Sequence, residues 1–242
     1  MPEISSNSKN STIKWIHTKL KESFGDSIEL PQRGVLDELV FNLLLQGSSK
    51  DRAEEALKAL KEEYFDWNEV RVTIPSSIEV VIKGVGLESV KSMRLVKILQ
   101  GIFEDRSEVD LEFLAEMNAP AIKNYLGTME GIGESTVETV LTFALGKHFY
   151  PLNKPALRFA QRFGIISSSK EGGTAKDFKA AVEAEVEEGR MAEFVLLVDY
   201  LAENICRSDK PLCRECPLNR KCAFAKKSAK SKSAKSPENP QE

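Results

Sequence analysis

"PAIKNYLGTMEGIGESTVETVL", residues 120–141, is the stretch from which the rest of the chain is best read. Apolar residues recur at helical spacing on both sides of a turn built around Gly131 and Gly133, so the stretch reads as helix, short hairpin, helix. Glycine lets backbone donors come close to a phosphate, and a helix start attracts anions. Glu130 and Glu134 flank the glycines and oppose that attraction. A tight interhelical turn with no ligand uses glycine too, so the motif by itself leaves nucleic-acid binding and plain turn chemistry both open.

Outward from the hairpin, helical periodicity continues and alternating β-branched runs do not appear, which predicts an all-α fold. Helices are expected over 11–24, 34–46, 49–64, 75–85, 87–105, 110–117, 120–128, 133–147, 154–164, 174–189 and 191–206. Pro75, Pro120 and Pro155 fall at expected helix starts, where a missing N–H is harmless, and Gly164 and Gly189 fall at ends.

With 242 residues, 41% hydrophobic and 29% charged, the chain can bury one good core or two small ones. The longest apolar stretches, 39–46 and 194–202, are too short to span a bilayer, and residues 1–12 do not read as a signal peptide. An intracellular monomer without membrane contact is expected. The net charge of −3 is unevenly spread: residues 206–242 carry +6 and the preceding residues −9. Such a basic end suits nucleic acid, and it equally suits a solvated tail. Residues 226–242 lack apolar periodicity and are expected to be disordered.

All four cysteines, Cys206, Cys213, Cys216 and Cys222, lie in one run spaced C-x6-C-x2-C-x5-C. In a reducing compartment, clustered thiols bind a metal or cluster more often than they form bridges. Structural zinc usually takes two short knuckles, whereas iron–sulfur clusters tolerate uneven spacing, and on spacing alone both stay open.

The hairpin "MEGIG" (129–133), the helix after it and the cysteine set, in this order, resemble the endonuclease III family of helix-hairpin-helix DNA glycosylases, which includes the adenine glycosylases. The resemblance covers roughly residues 30–222. It implies two helical domains that clamp double-stranded DNA, intact or lesion-bearing, with a 4Fe-4S cluster held by Cys206, Cys213, Cys216 and Cys222. One domain, 30–150, would be the helical barrel with the hairpin, and 1–29 with 151–222 would form the cluster domain, leaving 223–242 as a disordered basic tail. It also implies roles for single residues: Gln46 filling the gap left by a flipped base, Leu87 as a wedge, Gly131 and Gly133 gripping phosphate, and Arg158 as the arginine after the catalytic loop. Read without the family, Gln46 is a helix-terminal polar residue, Leu87 a core leucine and Arg158 an exposed helix arginine.

The reaction centre departs from the family. Bifunctional members place a lysine two residues past the second hairpin glycine and an aspartate 18 residues further on, where this chain has Ser135 and Asn153. A serine at the first position is what the adenine glycosylases show. A serine hydroxyl cannot form an imine with an abasic sugar, so lyase chemistry through Ser135 is lost. An ionised carboxylate stabilises the positive charge that develops on the sugar, and Asn153 is neutral. At ~4 Å and an effective dielectric near ~20 that charge is worth about 4 kcal/mol, roughly a thousandfold in rate. Lys147 and Lys154 flank Asn153 and read as surface lysines or as a displaced lyase amine. The sequence therefore predicts a DNA-binding protein of base-excision-repair type with glycosylase and lyase activity absent or strongly reduced. Two rivals stand beside it: an active monofunctional glycosylase with an atypical centre, and an interaction scaffold that has lost DNA.

Overall fold

The computed structural model describes residues 6–166 and 173–227. Among these residues the regular elements are helical and no strand occurs. In chain order they are α1 (Ser6–Phe24), α2 (Val35–Leu45), α3 (Lys50–Glu63), α4 (Trp67–Val72), α5 (Pro75–Val81), α6 (Glu88–Arg106), α7 (Ala119–Gly127), α8 (Glu134–Phe143), α9 (Lys154–Phe163), α10 (Ala175–Glu185) and α11 (Met191–Tyr200). A π-helical turn, Leu201–Ile205, follows α11. None of these helices is long and apolar enough to cross a membrane.

The chain divides into two compact units, one of Pro31–Pro151 and one formed by the residues up to Leu30 together with those from Leu152 onward. In the first unit, Ala53, Ala56, Leu57 and Leu60 make a buried stripe at i, i+3, i+4, i+7 on α3, and Leu95, Ile98, Leu99 and Ile102 repeat the pattern on α6. Both stripes belong to one core with Leu39, Leu43 and Leu44 of α2 and Val137, Val140 and Leu141 of α8. Each buried leucine, isoleucine or valine contributes about 1.5–3 kcal/mol by leaving water, and each alanine methyl about 0.8 kcal/mol. Helix α8 rests on α2 and α7, and α6 rests on α2, α4 and α5, so the hairpin and both flanking loops are fixed by a shared core. In the second unit the buried faces of α1 (Ile13, Ile16, Leu20), α9 (Phe159, Ala160) and α11 (Phe194, Leu197, Val198) supply the apolar interior.

Several boundaries differ from expectation for identifiable reasons. Residues 67–72 form α4, started by Asp66, whose carboxylate accepts from Glu69 N. The helix expected over 110–117 is a 3₁₀ turn, Glu112–Glu116. The helix expected over 133–147 ends at Phe143, ahead of Gly146, whose φ of +59° an α-helix does not use. Residues 223–227 are helical, where a disordered tail is expected to begin at 223, and the remainder of that tail, 228–242, lies outside the described residues.

Candidate nucleic-acid interface and reaction centre

In the first unit the hairpin is as the sequence predicts, with additions. Helices α7 and α8 are tied by Lys123 Nζ, 2.7 Å from the buried carboxylate of Glu138. The turn closes through Ile132 N donating to Met129 O at 3.1 Å. Gly131 has φ +84°, which favours glycine, and a Cβ there would also meet Arg94 Cδ at 2.9 Å, so the arginine side chain lying across it would have to shift. Gly133 is different: its φ is −91°, nothing lies within 4 Å of an added Cβ, and it caps α8 without a side-chain hydrogen bond to the first turn. Neither φ nor space demands glycine at 133, where an N-cap favours it over alanine. Ser135 sits exposed in that first turn.

The two glutamates separate. Glu130 pairs with Lys97 Nζ at 2.9 Å, and this hydrogen bond, with the charges of Lys97 and Arg94, holds its carboxyl below the usual range. Its repulsion toward an anion is therefore largely cancelled locally. Glu134 lies in the first turn of α8, where the helix macrodipole favours an acid.

One loop meets the hairpin, and a second lies against the first, an added Cβ on Gly86 standing 4.0 Å from Gly47 O. Gln46, at the end of α2, donates from Nε2 to Gly131 O at 3.3 Å. Leu87 is 68% exposed and left-handed (φ 57°, ψ 37°) at the start of α6, which rules out the core-leucine reading. Left-handed geometry costs a leucine about 1–2 kcal/mol, so the surroundings must enforce it. Glu88 does part of this: its carboxylate accepts from Gly84 N at 2.8 Å and Gly86 N at 3.1 Å. Hydrogen bonds from its own N–H and from these two keep the carboxyl below the ordinary range. Lys91, 2% exposed, donates from Nζ to Leu44 O at 2.6 Å and Val85 O at 2.9 Å. Those carbonyls stand two residues before Gln46 and Leu87, so one buried ammonium, lowered in pKa by its burial, fastens both loops.

In the second unit Asn153 caps α9, its Oδ1 accepting from Ala156 N at 2.8 Å. Its Nδ2 donates to Asp199 Oδ1 at 2.8 Å. Arg158, the arginine that the resemblance places after the catalytic loop, donates from Nη2 to Ala202 O at 2.8 Å and from Nε to Cys206 O at 3.1 Å. Arg162 adds contacts to Cys206 O at 3.1 Å and Ser208 O at 2.9 Å, with Nη1 3.6 Å from Cys206 Sγ. The two arginines brace the cysteine loop.

The four cysteines are all unbridged and partly buried. Burial, then the neighbouring Cys222, Cys206 and Cys213, pushes the Cys216 thiol up to about 11. Among the described residues no three Cys, His, Asp or Glu groups already stand together at metal-site separations. In kind, four thiols on one loop with an arginine beside Cys206 fit a thiolate-held iron–sulfur cluster, whose cationic iron deprotonates its ligands.

No family model matches the chain. A relative from Arabidopsis thaliana, whose name places it provisionally among the DNA glycosylases, is 28% identical over 143 residues, 59% of this chain and 49% of its own length. Endonuclease III of Thermotoga maritima is 25% identical over 195 residues, 79% of this chain and 84% of that protein. A solved non-covalent endonuclease III–DNA complex superposes with a TM-score of 0.76 at 18% identity, covering 91% of this chain and 98% of that one. The chain is endonuclease III-like, in sequence and in fold. It spans about half of the Arabidopsis relative and a tenth of a second one, DEMETER-like protein 3.

Sequence reasoning missed Lys91, Arg94, Lys97, Arg162 and Asp199. All five act through partners far along the chain, and Asp199 stands 46 residues from Asn153. The one local hint was Gly131, whose missing Cβ leaves room for a side chain to lie across it.

Proposed function

We propose that this endonuclease III-like protein binds double-stranded DNA in base excision repair as a monomer, does no Schiff-base lyase chemistry, and retains at most strongly reduced glycosylase activity. The observation that carries the DNA reading is Gly133, an exposed cap whose backbone and surroundings do not require glycine, on the hairpin that Gln46 meets at Gly131 O, with the exposed Leu87 on the loop beside that of Gln46. Gly131 and Gly133 approach a phosphate, Gln46 and Leu87 act on a displaced base, and Lys97 with Arg94 offsets Glu130. Intracellular placement follows from this substrate.

Cys206, Cys213, Cys216 and Cys222 hold a 4Fe-4S cluster that orders the loop on which Arg158 and Arg162 rest. When bound, the cluster would cross-link that loop through the four thiolates, and Arg162 would donate to the Cys206 thiolate. Ser135 offers no amine and Asn153 no charge, which removes the imine route and weakens charge stabilisation.

The test incubates purified protein with a panel of lesion-bearing, abasic and intact duplexes and scores both binding and strand cleavage. Binding that favours lesion or abasic duplexes, with little or no cleavage, is expected. Equal absence of binding at low salt overturns the reading in favour of a scaffold, and rapid cleavage overturns the reduced-activity part.

A further inference from the structure

We propose that Asp199 supplies, through Asn153, the negative charge that position 153 lacks, so that the centre is a two-residue unit in which the carboxylate has moved one hydrogen bond outward. This rests on the DNA reading above and goes further by assigning a residue and a reaction.

The geometry is specific. Asn153 is held at both ends of its amide, its oxygen taken by Ala156 N and its nitrogen donating to Asp199 Oδ1, each at 2.8 Å. The cap fixes where the amide points, and the carboxylate fixes which of its atoms points there. An asparagine that merely capped α9 has no need of an acid partner, because an N-cap works through its oxygen. Asp199 lies in the last turn of α11, directly ahead of the π-helical turn Leu201–Ile205. Such wide turns re-aim the side chains next to them and occur often at functional sites.

Electrostatics sets the expected size. A carboxylate at ~4 Å from a sugar cation gives about a thousandfold, and one moved out to ~7 Å gives roughly fiftyfold at the same effective dielectric. The centre is then weakened and not empty. In the reaction the electron pair of the C1′–N bond leaves with the base, which takes up a proton. Water adds to C1′ and gives up a proton, so the net change is hydrolysis to free base and abasic sugar. Asp199 neither takes nor gives a proton in these steps, and its charge lowers the energy of the cationic sugar between the two events. It is a positioning and charge-supplying residue that acts through Asn153.

The test needs no known lesion. Two duplexes are compared, one with a protonated pyrrolidine replacing a single deoxyribose and the other with a neutral tetrahydrofuran at the same place. The protein should bind the cationic duplex tens of times more tightly. Asp199→Asn should bring the two affinities within a few-fold while leaving the neutral duplex bound as before, which also shows that the variant is folded. The swap Asn153→Asp with Asp199→Asn, which keeps one charge and the hydrogen bond, should restore the preference or enlarge it. Asn153→Asp alone should do less than the swap, because two carboxylates at hydrogen-bond distance share a proton. Binding of both duplexes without a charge preference, or a preference that survives Asp199→Asn, overturns the assignment and leaves the DNA reading intact. Failure to bind either duplex overturns both.

Discussion

At the start of α8 the cap is Gly133, which offers no side chain to the first turn, whereas at the start of α9 Asn153 folds its own carbonyl onto Ala156 N. One helix start is open to an outside acceptor and the other is closed by the protein itself. The open start is exposed, with Glu130 of the hairpin paired to Lys97 and Glu134 standing in the first turn of α8. The closed start is anchored inward, to Asp199 and the loop braced by Arg158 and Arg162. The same backbone donors thus bind in one place and build in the other, and the residue at the cap decides which.

The largest expected effect breaks the closed side entirely. Cys206→Ser, or stripping iron with a chelator, should abolish the cooperative unfolding of the second unit, followed by circular dichroism, with metal analysis of the intact protein returning iron and no zinc. One zinc and no iron would remove the cluster assignment. Next comes chemistry on the open side. Borohydride should trap no adduct of the natural protein with abasic DNA, and Ser135→Lys should create one, read as a shifted band on a denaturing gel. An adduct of the unaltered protein that disappears on replacing Lys147 or Lys154 would transfer the lyase to a displaced amine.

Stability then separates the two glycines. Gly131→Ala should lose about 2 kcal/mol, because alanine must take a left-handed backbone and push Arg94 aside. Asn153→Ala should lose about 1 kcal/mol for its cap. Gly133→Ala should lose roughly 1 kcal/mol or less, because alanine is a poorer N-cap than glycine although backbone and space both accommodate it, and should weaken duplex binding several-fold. Thermal melts alongside binding curves check all three. If Gly133→Ala bound DNA as tightly as the natural protein, the open start would be open for no purpose. The smallest effect is at Glu130→Gln, which releases Lys97 toward phosphate. Binding should tighten about twofold and the slope of log K against log salt should steepen by up to ~0.9, the share of one extra phosphate contact.

How much of this was legible in the sequence depends on the distance over which each feature is decided. The all-α fold and most helices were, since i, i+3, i+4 stripes and caps such as Asn118 and Thr174 are local. Helix α4 was not, because six residues with a tryptophan and two valines carry too little periodicity against the cap at Asp66. The π-helical turn after α11 was absorbed into a continuous helix, since an apolar run does not say whether a carbonyl bonds four or five residues ahead. At the site, Gly131 and Gly133 look alike in sequence and part company only once Arg94 arrives from α6. Arg158 was read as outward because its acceptors, the carbonyls of Ala202 and Cys206, lie more than forty residues away.

The π-helical turn makes chain length itself a constraint. Cys206 N reaches back to Leu201 O at 2.7 Å, a span that holds one residue more than an α-turn. Deleting any one residue between Tyr200 and Cys206 closes that turn into ordinary helix and swings everything after it by about 100°. The first cysteine then leaves the guanidinium groups that meet it, although no side chain named here has been altered. Between Asp199 and Cys206, therefore, substitutions should be tolerated more readily than a deletion.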